Sequence, residues 1–436
     1  MITGISEGFH DAAIAKINDG EILYASHSER HTRIKNDKEL FYDFHRLMVE
    51  GTTVFYEKPF WKNTRRLYAG LEWKSRPKYD HYIWHHWSHA AAAYYTRPFV
   101  EEPVCVVIDA IGEWDTASIW YKKKKKWSLK YPKSLGLFYS AVTQACGLKP
   151  LEDEYITMGM AALGNPKYDI DPYKDYHRGM TAFGDKFDLA ASAQKVLERE
   201  IYNIMLKAKK YSDYLCYGGG VALNCVANTK IHPLFKDIWI MPNPGDAGSS
   251  LGAAAAYYDK QLNWVDPYLG TNIERDVNVK TIVDHLLNYR YCGVANGRAE
   301  FGPRALGNRS LIADPRRDIK STINKIKQRQ DFRPFGPAIL EEFADEYFDG
   351  PKNSHMQYVS RALHDDEGVK HVDGTSRVQV VKKDCKSIIR PILEEWYEKT
   401  KCPMLLNTSL NIKGQPIVDT WKHAQEFERK YKCRIF

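Results

Sequence analysis

Twice in this chain a short apolar strand is followed by a turn and a tight hairpin, with helices after it. That repetition narrows the available folds more than any other feature. In the first copy Ile2 to Ser6 reads as a strand and Ala12 to Ile17 as a second. Asn18-Asp19-Gly20 is a turn needing positive φ, and Glu21 to Ser26 is the return strand. In the second copy Val104 to Ile108 ends in Asp109 and Gly112, Thr116 to Tyr121 follows, and Trp127 to Tyr131 returns after a polar turn. At 436 residues the chain exceeds one ordinary core, so two domains, or a divided domain plus a second, are expected.

A duplicated strand, glycine turn and hairpin with trailing helices is the plan of the actin-like and sugar-kinase (ribonuclease H-like) ATPases, an α/β fold holding nucleotide between its halves. Two strand-to-helix junctions suit phosphate. Asp213 to Gly220 ends in three glycines before Val221-Ala-Leu-Asn224. Ile238 to Met241 leads through Pro244-Gly-Asp-Ala-Gly-Ser-Ser-Leu-Gly252 to an alanine-rich helix from Ala253 to Lys260. Gly219, Gly220 and Asn224 form the candidate nucleotide loop, with a ligand-free tight turn as the competing reading. Trp264 to Asn278, containing Pro267 and Gly270, reads as a loop. It divides the chain into 1–270 and a smaller α/β domain, 271–436.

The start, Met1-Ile-Thr-Gly-Ile-Ser-Glu-Gly8, has no basic region ahead of an apolar stretch, and no later run is long enough to span a bilayer. A cytoplasmic protein with no membrane partner is expected. Eight cysteines without a C-x-x-C pair argue against a zinc knuckle and a disulfide framework. The net charge of +8 permits a polyanionic partner. Nothing in the sequence sets an oligomeric state.

Between Gly297 and Pro337, Arg304, Arg309, Lys327, Arg329 and Arg333 sit in a frame of Gly302, Pro303, Gly307, Pro334 and Pro337. Guanidinium forks match phosphate and carboxylate oxygens, and glycine lets backbone N–H groups approach an anion. The block reads as a polyanion pocket, since a solvated basic surface would spread its cations at helical spacing among acids. Arg377 and the segment Asn407-Thr-Ser-Leu-Asn411 join it. Ser409 and Asn411, at alternate strand positions, offer a hydroxyl and an amide to one face, although the segment also suits an Asx turn. His85 and His89 stand at i and i+4, a spacing for one metal or for a capping or surface pair. Asp109 and Asp246, each at a strand end beside glycine, would complete a mixed shell suited to iron, manganese or zinc. His10-Asp11 after the first strand reads as a cleft base or as a hydrogen-bonded structural pair.

These segments together resemble the NodU/CmcH-type carbamoyltransferases. The resemblance is carried by Gly8-Phe-His-Asp-Ala, Ser28-Glu-Arg-His-Thr-Arg-Ile-Lys, His85-His-Trp-Ser-His-Ala, Asp109-Ala-Ile-Gly-Glu-Trp and Ser134-Leu-Gly-Leu-Phe-Tyr-Ser. It continues through Gly219-Gly-Val-Ala-Leu-Asn-Cys, Gly245-Asp-Ala-Gly, Glu300-Phe-Gly-Pro-Arg-Ala-Leu-Gly-Asn-Arg-Ser, Val372-Asp-Gly-Thr and Leu406-Asn-Thr-Ser, in family order over nearly the whole chain. The resemblance implies an actin-like domain followed by a YrdC-like domain. The second would convert carbamoyl phosphate and ATP to carbamoyl adenylate, which passes inside the protein to a metal-assisted transfer site in the first. It further implies that His85, His89, Asp109 and Asp246 bind the metal, with Fe(II) expected, and that His10 is the base or carbamoyl-positioning group beside Asp11. Arg304, Arg309, Lys327, Arg329, Arg333, Arg377, Asn407, Ser409 and Asn411 would hold carbamoyl phosphate and ATP. Against the family pattern, the chain looks shortened soon after Pro416-Ile-Val-Asp-Thr, and Ile156 stands where a Lys is common.

The acceptor hydroxyl is read from charge placement. Lys122 to Lys126 is expected at a hairpin tip, and Lys58 to Tyr79 interleaves seven Lys or Arg residues with aromatics just before the His motif. Cations for phosphates and aromatics for bases compose a nucleic-acid groove, with Lys62, Arg65, Arg66, Lys122, Lys124 and Lys126 as candidate contacts. A hydroxymethylated pyrimidine in DNA and a small metabolite or sugar hydroxyl remain the two acceptor readings. An actin-like kinase or a nucleic-acid-binding ATPase is disfavoured, because neither needs the Arg-rich second domain.

Overall fold

The computed structural model describes residues 1–40 and 49–436. The chain forms two compact units: Met1–Ser28 with Asn36–Val265, and Glu29–Lys35 with Asp266–Phe436.

The first unit contains two five-stranded sheets of one design. β1 (Ile2–Ser6), β2 (Ala13–Asn18), β3 (Glu21–His27), β4 (Thr52–Phe55) and β5 (His81–Tyr82) lie in the order β3-β2-β1-β4-β5. β6 (Val104–Ile108), β7 (Asp115–Tyr121), β8 (Lys124–Lys130), β9 (Tyr214–Gly218) and β10 (Asp237–Ile240) lie in the order β8-β7-β6-β9-β10. In each sheet the first strand runs antiparallel to its hairpin mate and parallel to the fourth. Every residue of β6 is buried, as a strand covered on both faces must be. The matched order and direction are those of the duplicated actin-like, ribonuclease H-like fold.

Glycine sets how closely the site-bearing elements approach. Helix Gly248–Tyr258 lies against β1 and helix His85–Tyr94. A Cβ on Gly252 would stand 1.8 Å from the Ser88 carbonyl oxygen, and one on Gly4 would stand 1.8 Å from the Ser250 carbonyl oxygen. Only small residues allow such contact, and Ala90–Ala93 and Ala253–Ala255 continue it.

The second unit is built on a mixed sheet of β12 (Tyr291–Ala295), β14 (Arg309–Ala313), β20 (Met404–Ser409), β15 (Gly336–Leu340) and β19 (Gln379–Val381), in that spatial order. β11 (Tyr268–Ile273) pairs with β13 (Gly297–Glu300), and β16 (Phe348–Asp349), β17 (Ser360–Ala362) and β18 (Thr375–Ser376) form a small third sheet. Trp396 and Phe427 lie in its core. Residues after Thr420 form helix Trp421–Tyr431, then extend the sheet beyond β12: Gly293 N donates to Arg434 O at 2.8 Å and Ala295 N to Phe436 O at 2.9 Å.

Three local expectations are corrected. Trp264 to Asn278 is not a plain loop, because β11 occupies Tyr268–Ile273. Pro267 precedes the strand, and Gly270 falls where the register with β13 is irregular, so neither breaks it. The lysine run is not all tip: only Lys122 and Lys123 form the turn, at φ 51° and 59°, and Lys124 begins β8. A two-residue turn with both φ positive matches strand twist and leaves the rest of the run free to pair. The alanine-rich helix begins at Gly248, not Ala253.

Gly252→Ala is expected to push the two helices apart and destabilise the protein by about 1–3 kcal/mol, read as a lowered midpoint of thermal unfolding.

Candidate active site

In the first unit, helix His85–Tyr94 carries His85 and His89 on one face, Asp109 follows β6, and Asp246 precedes helix Gly248–Tyr258. One ligand atom from each of the four lies within 4.8 Å of all the others, and all four residues are buried. His85 Nε2 stands 3.1 Å from Asp109 Oδ2 and 3.6 Å from Asp246 Oδ1, while His89 Nε2 stands 3.3 Å from Asp246 Oδ1. The two imidazole Nε2 atoms face each other at 3.1 Å, a spacing that a single proton or a shared cation can fill. Two imidazoles and two carboxylates converging on one point fit a divalent metal.

The ligands are oriented from behind. His89 Nδ1–H donates to the Pro244 carbonyl at 3.0 Å, with the Ser249 hydroxyl at 2.9 Å, which turns Nε2 toward the centre. Asp109 Oδ1 accepts from Gly220 N at 2.9 Å. Glu113 Oε1 accepts from His85 N at 2.9 Å and from Lys58 N at 2.8 Å. Burial opposes charge throughout this cluster, but the groups sustain one another. Hydrogen bonds from His85 and His89 hold Asp109 well below the usual carboxylate range despite its burial. Asp109 and Asp246 outweigh the same burial effect at His89 and push it up to about 9.

His10 Nδ1 lies 3.0 Å from Asp11 Oδ2. Burial disfavours its charged form, but Asp11, with help from Asp246 and Glu152, pushes it up to about 9. Its Nε2 is buried with no hydrogen-bond partner among the described residues. A protonated ring with one idle N–H suits a positioning donor better than a free base.

The proposed nucleotide loop takes a different role. Gly219 N donates to Pro244 O at 2.9 Å, Gly220 N is spent on Asp109, and Asn224 caps the following helix by accepting from Ala227 N at 3.0 Å. These N–H groups serve the protein's own carbonyl and carboxylate. Gly219 needs its glycine: φ is +89°, and a Cβ would stand 2.2 Å from Ile108 O.

In the second unit Lys327 is buried, and its Nζ donates to Asn411 O at 2.9 Å, Asn411 Oδ1 at 3.0 Å, Ser409 Oγ at 3.3 Å and the Ser409 carbonyl. None of these acceptors is a carboxylate. Burial pushes the ammonium well below its ordinary pKa, and Arg329 and Arg333 push it the same way. Asn407 Oδ1 and Arg377 Nε are buried without hydrogen-bond partners among the described residues. An ammonium buried among neutral acceptors suits an anion beside it.

Arg309 is corrected to a frame residue. Its side chain is fully buried, and its fork donates to the carbonyls of Asp419 (2.9 Å), Asn296 (3.0 Å), Gly297 (3.1 Å), Asn308 (2.8 Å) and Thr271 (2.9 Å). Nε and Nη1 are spent on the protein's own carbonyls, and Nη2 gives one of its two hydrogens to Thr271. Arg329 Nε donates to Asn324 Oδ1 at 2.6 Å, its plane lying over Phe335. Arg304 and Arg333 are half-buried.

Sequence reasoning missed Arg30. It lies in Glu29–Lys35, the early segment that belongs to the second unit, and is 2% exposed. Its Nη2 donates to Gly302 O at 3.2 Å, while Nε and Nη1 have no partner among the described residues. Nearby Arg33 donates to the carbonyls of Ile417 at 2.7 Å and Pro416 at 2.9 Å. Both sit in the Ser28-Glu-Arg-His-Thr-Arg motif, which carried resemblance but no assigned role. Glu113 was missed as well, because its function is to bridge two helix starts distant in sequence.

Of the expected nucleic-acid contacts, Lys62 pairs with Glu57 at 2.6 Å and Arg65 is buried beside Tyr131, so neither faces solvent. On a helix that packs, those two positions turn inward. Arg66 Nε donates to Glu72 O at 2.9 Å. Lys122, Lys124 and Lys126 are exposed.

The family description Carbamoyltransferase N-terminus matches residues 47–177 and 173–255, and Carbamoyltransferase C-terminus matches 283–435. An uncharacterized protein of Synechocystis sp. is 30% identical over 99% of this chain and 94% of its own length. Nodulation protein NolO of Bradyrhizobium diazoefficiens is 30% identical over 78% of this chain and 75% of its own. Among solved structures, T. kodakarensis HypF is 11% identical with a TM-score of 0.33, covering 60% of this chain and 48% of that one.

His85→Ala is expected to abolish metal binding, and Ser249→Ala to weaken it about 10-fold, both read by titration of the metal-stripped protein. Asp11→Asn is expected to bring the His10 pKa down from about 9, followed by NMR of the imidazole protons.

Proposed function

The chain belongs to the carbamoyltransferase family, and from that premise we propose that it makes carbamoyl adenylate from carbamoyl phosphate, water and ATP, with release of phosphate and pyrophosphate, and transfers the carbamoyl group to an acceptor hydroxyl, with release of AMP and the hydroxyl proton. The observation that carries the reading is the convergence of His85, His89, Asp109 and Asp246 on one point in the first unit.

Activation belongs to the second, YrdC-like unit. Lys327 exchanges hydrogen bonds to Ser409 and Asn411 for the phosphate of carbamoyl phosphate and then of the adenylate. Arg304, Arg329, Arg333 and Arg377 add guanidinium contacts, and Asn407, whose Nδ2 donates to Ala305 O and Gln379 Oε1, keeps its carbonyl oxygen for a donor such as the carbamoyl NH2. Arg30 joins them, because two idle donors on a buried guanidinium are costly unless an anion takes them.

Transfer belongs to the first unit. A divalent cation bound there, with Fe(II) the first candidate and Mn(II) and Zn(II) the alternatives, supplies Lewis-acid stabilisation of charge on the adenylate phosphate. His10, held by Asp11, points its idle Nε2–H at the carbamoyl carbonyl and steadies the carbon that the acceptor oxygen attacks as AMP leaves. The acceptor we favour is a hydroxymethylated pyrimidine in DNA, supported by the exposed cations Lys122, Lys124 and Lys126. A sugar or small-metabolite hydroxyl is the second reading. All eight cysteines are free. Among the described residues no helix is long and apolar enough to cross a membrane.

The test is a labelled-carbamoyl assay with ATP and hydroxymethyl-containing DNA, unmodified DNA or hydroxylated sugars. Label is expected on the hydroxymethyl DNA alone; label on the sugars alone sinks the DNA reading. Lys327→Met is expected to lower carbamoyl phosphate-dependent ATP turnover about 10²–10³-fold, and Arg30→Gln to raise the KM for carbamoyl phosphate about 10-fold. Unchanged kinetics in both variants would remove the activation site from this unit.

A further inference from the structure

The surface that carries furthest lies on helix Pro59–Tyr68 and the chain after it. Phe60, Trp61, Trp73 and Trp84 are 44%, 46%, 43% and 45% exposed. They touch one another: Phe60 meets Trp61 and Trp73 edge-on at 5.4 and 6.0 Å, and Trp61 lies 6.3 Å from Trp84. Large aromatics left in water as one contiguous group mark a binding surface. Cations sit over the same rings, Arg76 over Phe60 at 5.0 Å and over Trp73 at 5.7 Å, and Lys58 over Trp84 at 5.7 Å. From Lys58 to Trp84 there are seven Lys or Arg residues against Glu72 and Asp80.

The cluster is rooted in the helix that carries His85 and His89. Trp84 is its N-cap residue, next to His85. One oxygen of buried Glu113 accepts from both His85 N and Lys58 N, so the first turns of the aromatic-bearing and His-bearing helices hang on a single atom.

We infer that Phe60, Trp61, Trp73 and Trp84, with Lys58 and Arg76, form a stacking platform for unpaired bases of a single-stranded polynucleotide. The ring faces take bases of any identity and the cations take the phosphates. Paired bases in a duplex present no free faces, so the platform selects single-stranded or locally opened DNA. A carbohydrate would also stack on tryptophan, but it would give the excess of positive charge no partner. The inference rests on the nucleic-acid reading of the acceptor and names where that acceptor is held. The platform is distinct from the residues first expected to do this, because Lys62 and Arg65 are turned inward.

Binding of a fluorescently labelled oligothymidylate to the full-length chain, followed by anisotropy, tests it without any carbamoyl transfer. The wild-type chain is expected to bind the oligonucleotide more tightly than a duplex of the same length, than polyphosphate of equal charge and than a chito-oligosaccharide. Trp61→Ala is expected to weaken binding about 5- to 150-fold, and Arg76→Gln to weaken it while reducing the salt slope by about one. Metal content and the midpoint of thermal unfolding serve as folding controls, and Trp61→Phe should restore most of the affinity. Equal binding by polyphosphate, tighter binding of the chito-oligosaccharide, or wild-type affinity in Trp61→Ala would each overturn the platform. Platform-dependent binding of hydroxymethyl oligonucleotides that never take up label would sustain the platform and refute the acceptor.

Discussion

A carboxylate removed from water needs compensation, and Asp109 collects it from two distant stretches of chain. His85 and His89 approach one oxygen and the Gly220 N–H holds the other. Each contact sets a demand on the fold. The imidazoles must share a helix face, β9 must end in glycines so that its turn can reach the carboxylate, and helix Gly248–Tyr258 must pack close enough to bring Asp246 in. The 1.8 Å that would separate a Gly252 Cβ from Ser88 O measures how little room that packing leaves. Because the cluster carries its charges in a buried place, it is stable only when they balance, and a divalent cation in place of the protons balances them equally well.

The second unit poses the opposite electrostatic problem. Lys327 is buried among carbonyls, a hydroxyl and an amide, with two arginines raising the local potential. Nothing in those contacts neutralises it. Arg309, although it belongs to the same motif, spends its fork on five carbonyls and pins together β14, the Gly297 turn and the chain near Asp419. Motif membership therefore says little about what an individual arginine does. The deciding quantity is whether its donors are already taken.

Much of this was legible in the chain. The duplicated hairpins were readable because period-two apolar strands and positive-φ turns are local signals, and both sheets follow them. The His85 and His89 pair was readable for the same reason, since i and i+4 define one helix face without knowledge of the rest. At Gly219 and Gly220 the glycines announce close approach, and the group that meets Gly220 N is the protein's own Asp109 carboxylate. Arg30 was invisible because its partner Gly302 lies 272 residues away.

The amino-acid sequence by itself determined the strands, the turns, the helix face carrying two imidazoles and the concentration of cations in the Gly297–Pro337 block, because each depends on backbone preferences within a few residues. Only the tertiary structure decided which charges meet. It brought Asp109 and Asp246 to the two histidines, turned Arg65 and Arg309 inward, left Phe60, Trp61, Trp73 and Trp84 in water, and drew Glu29–Lys35 into the second unit. Burial and long-range pairing are properties of the packed chain, and a side chain's chemistry follows from which of its polar atoms that packing leaves unpaired.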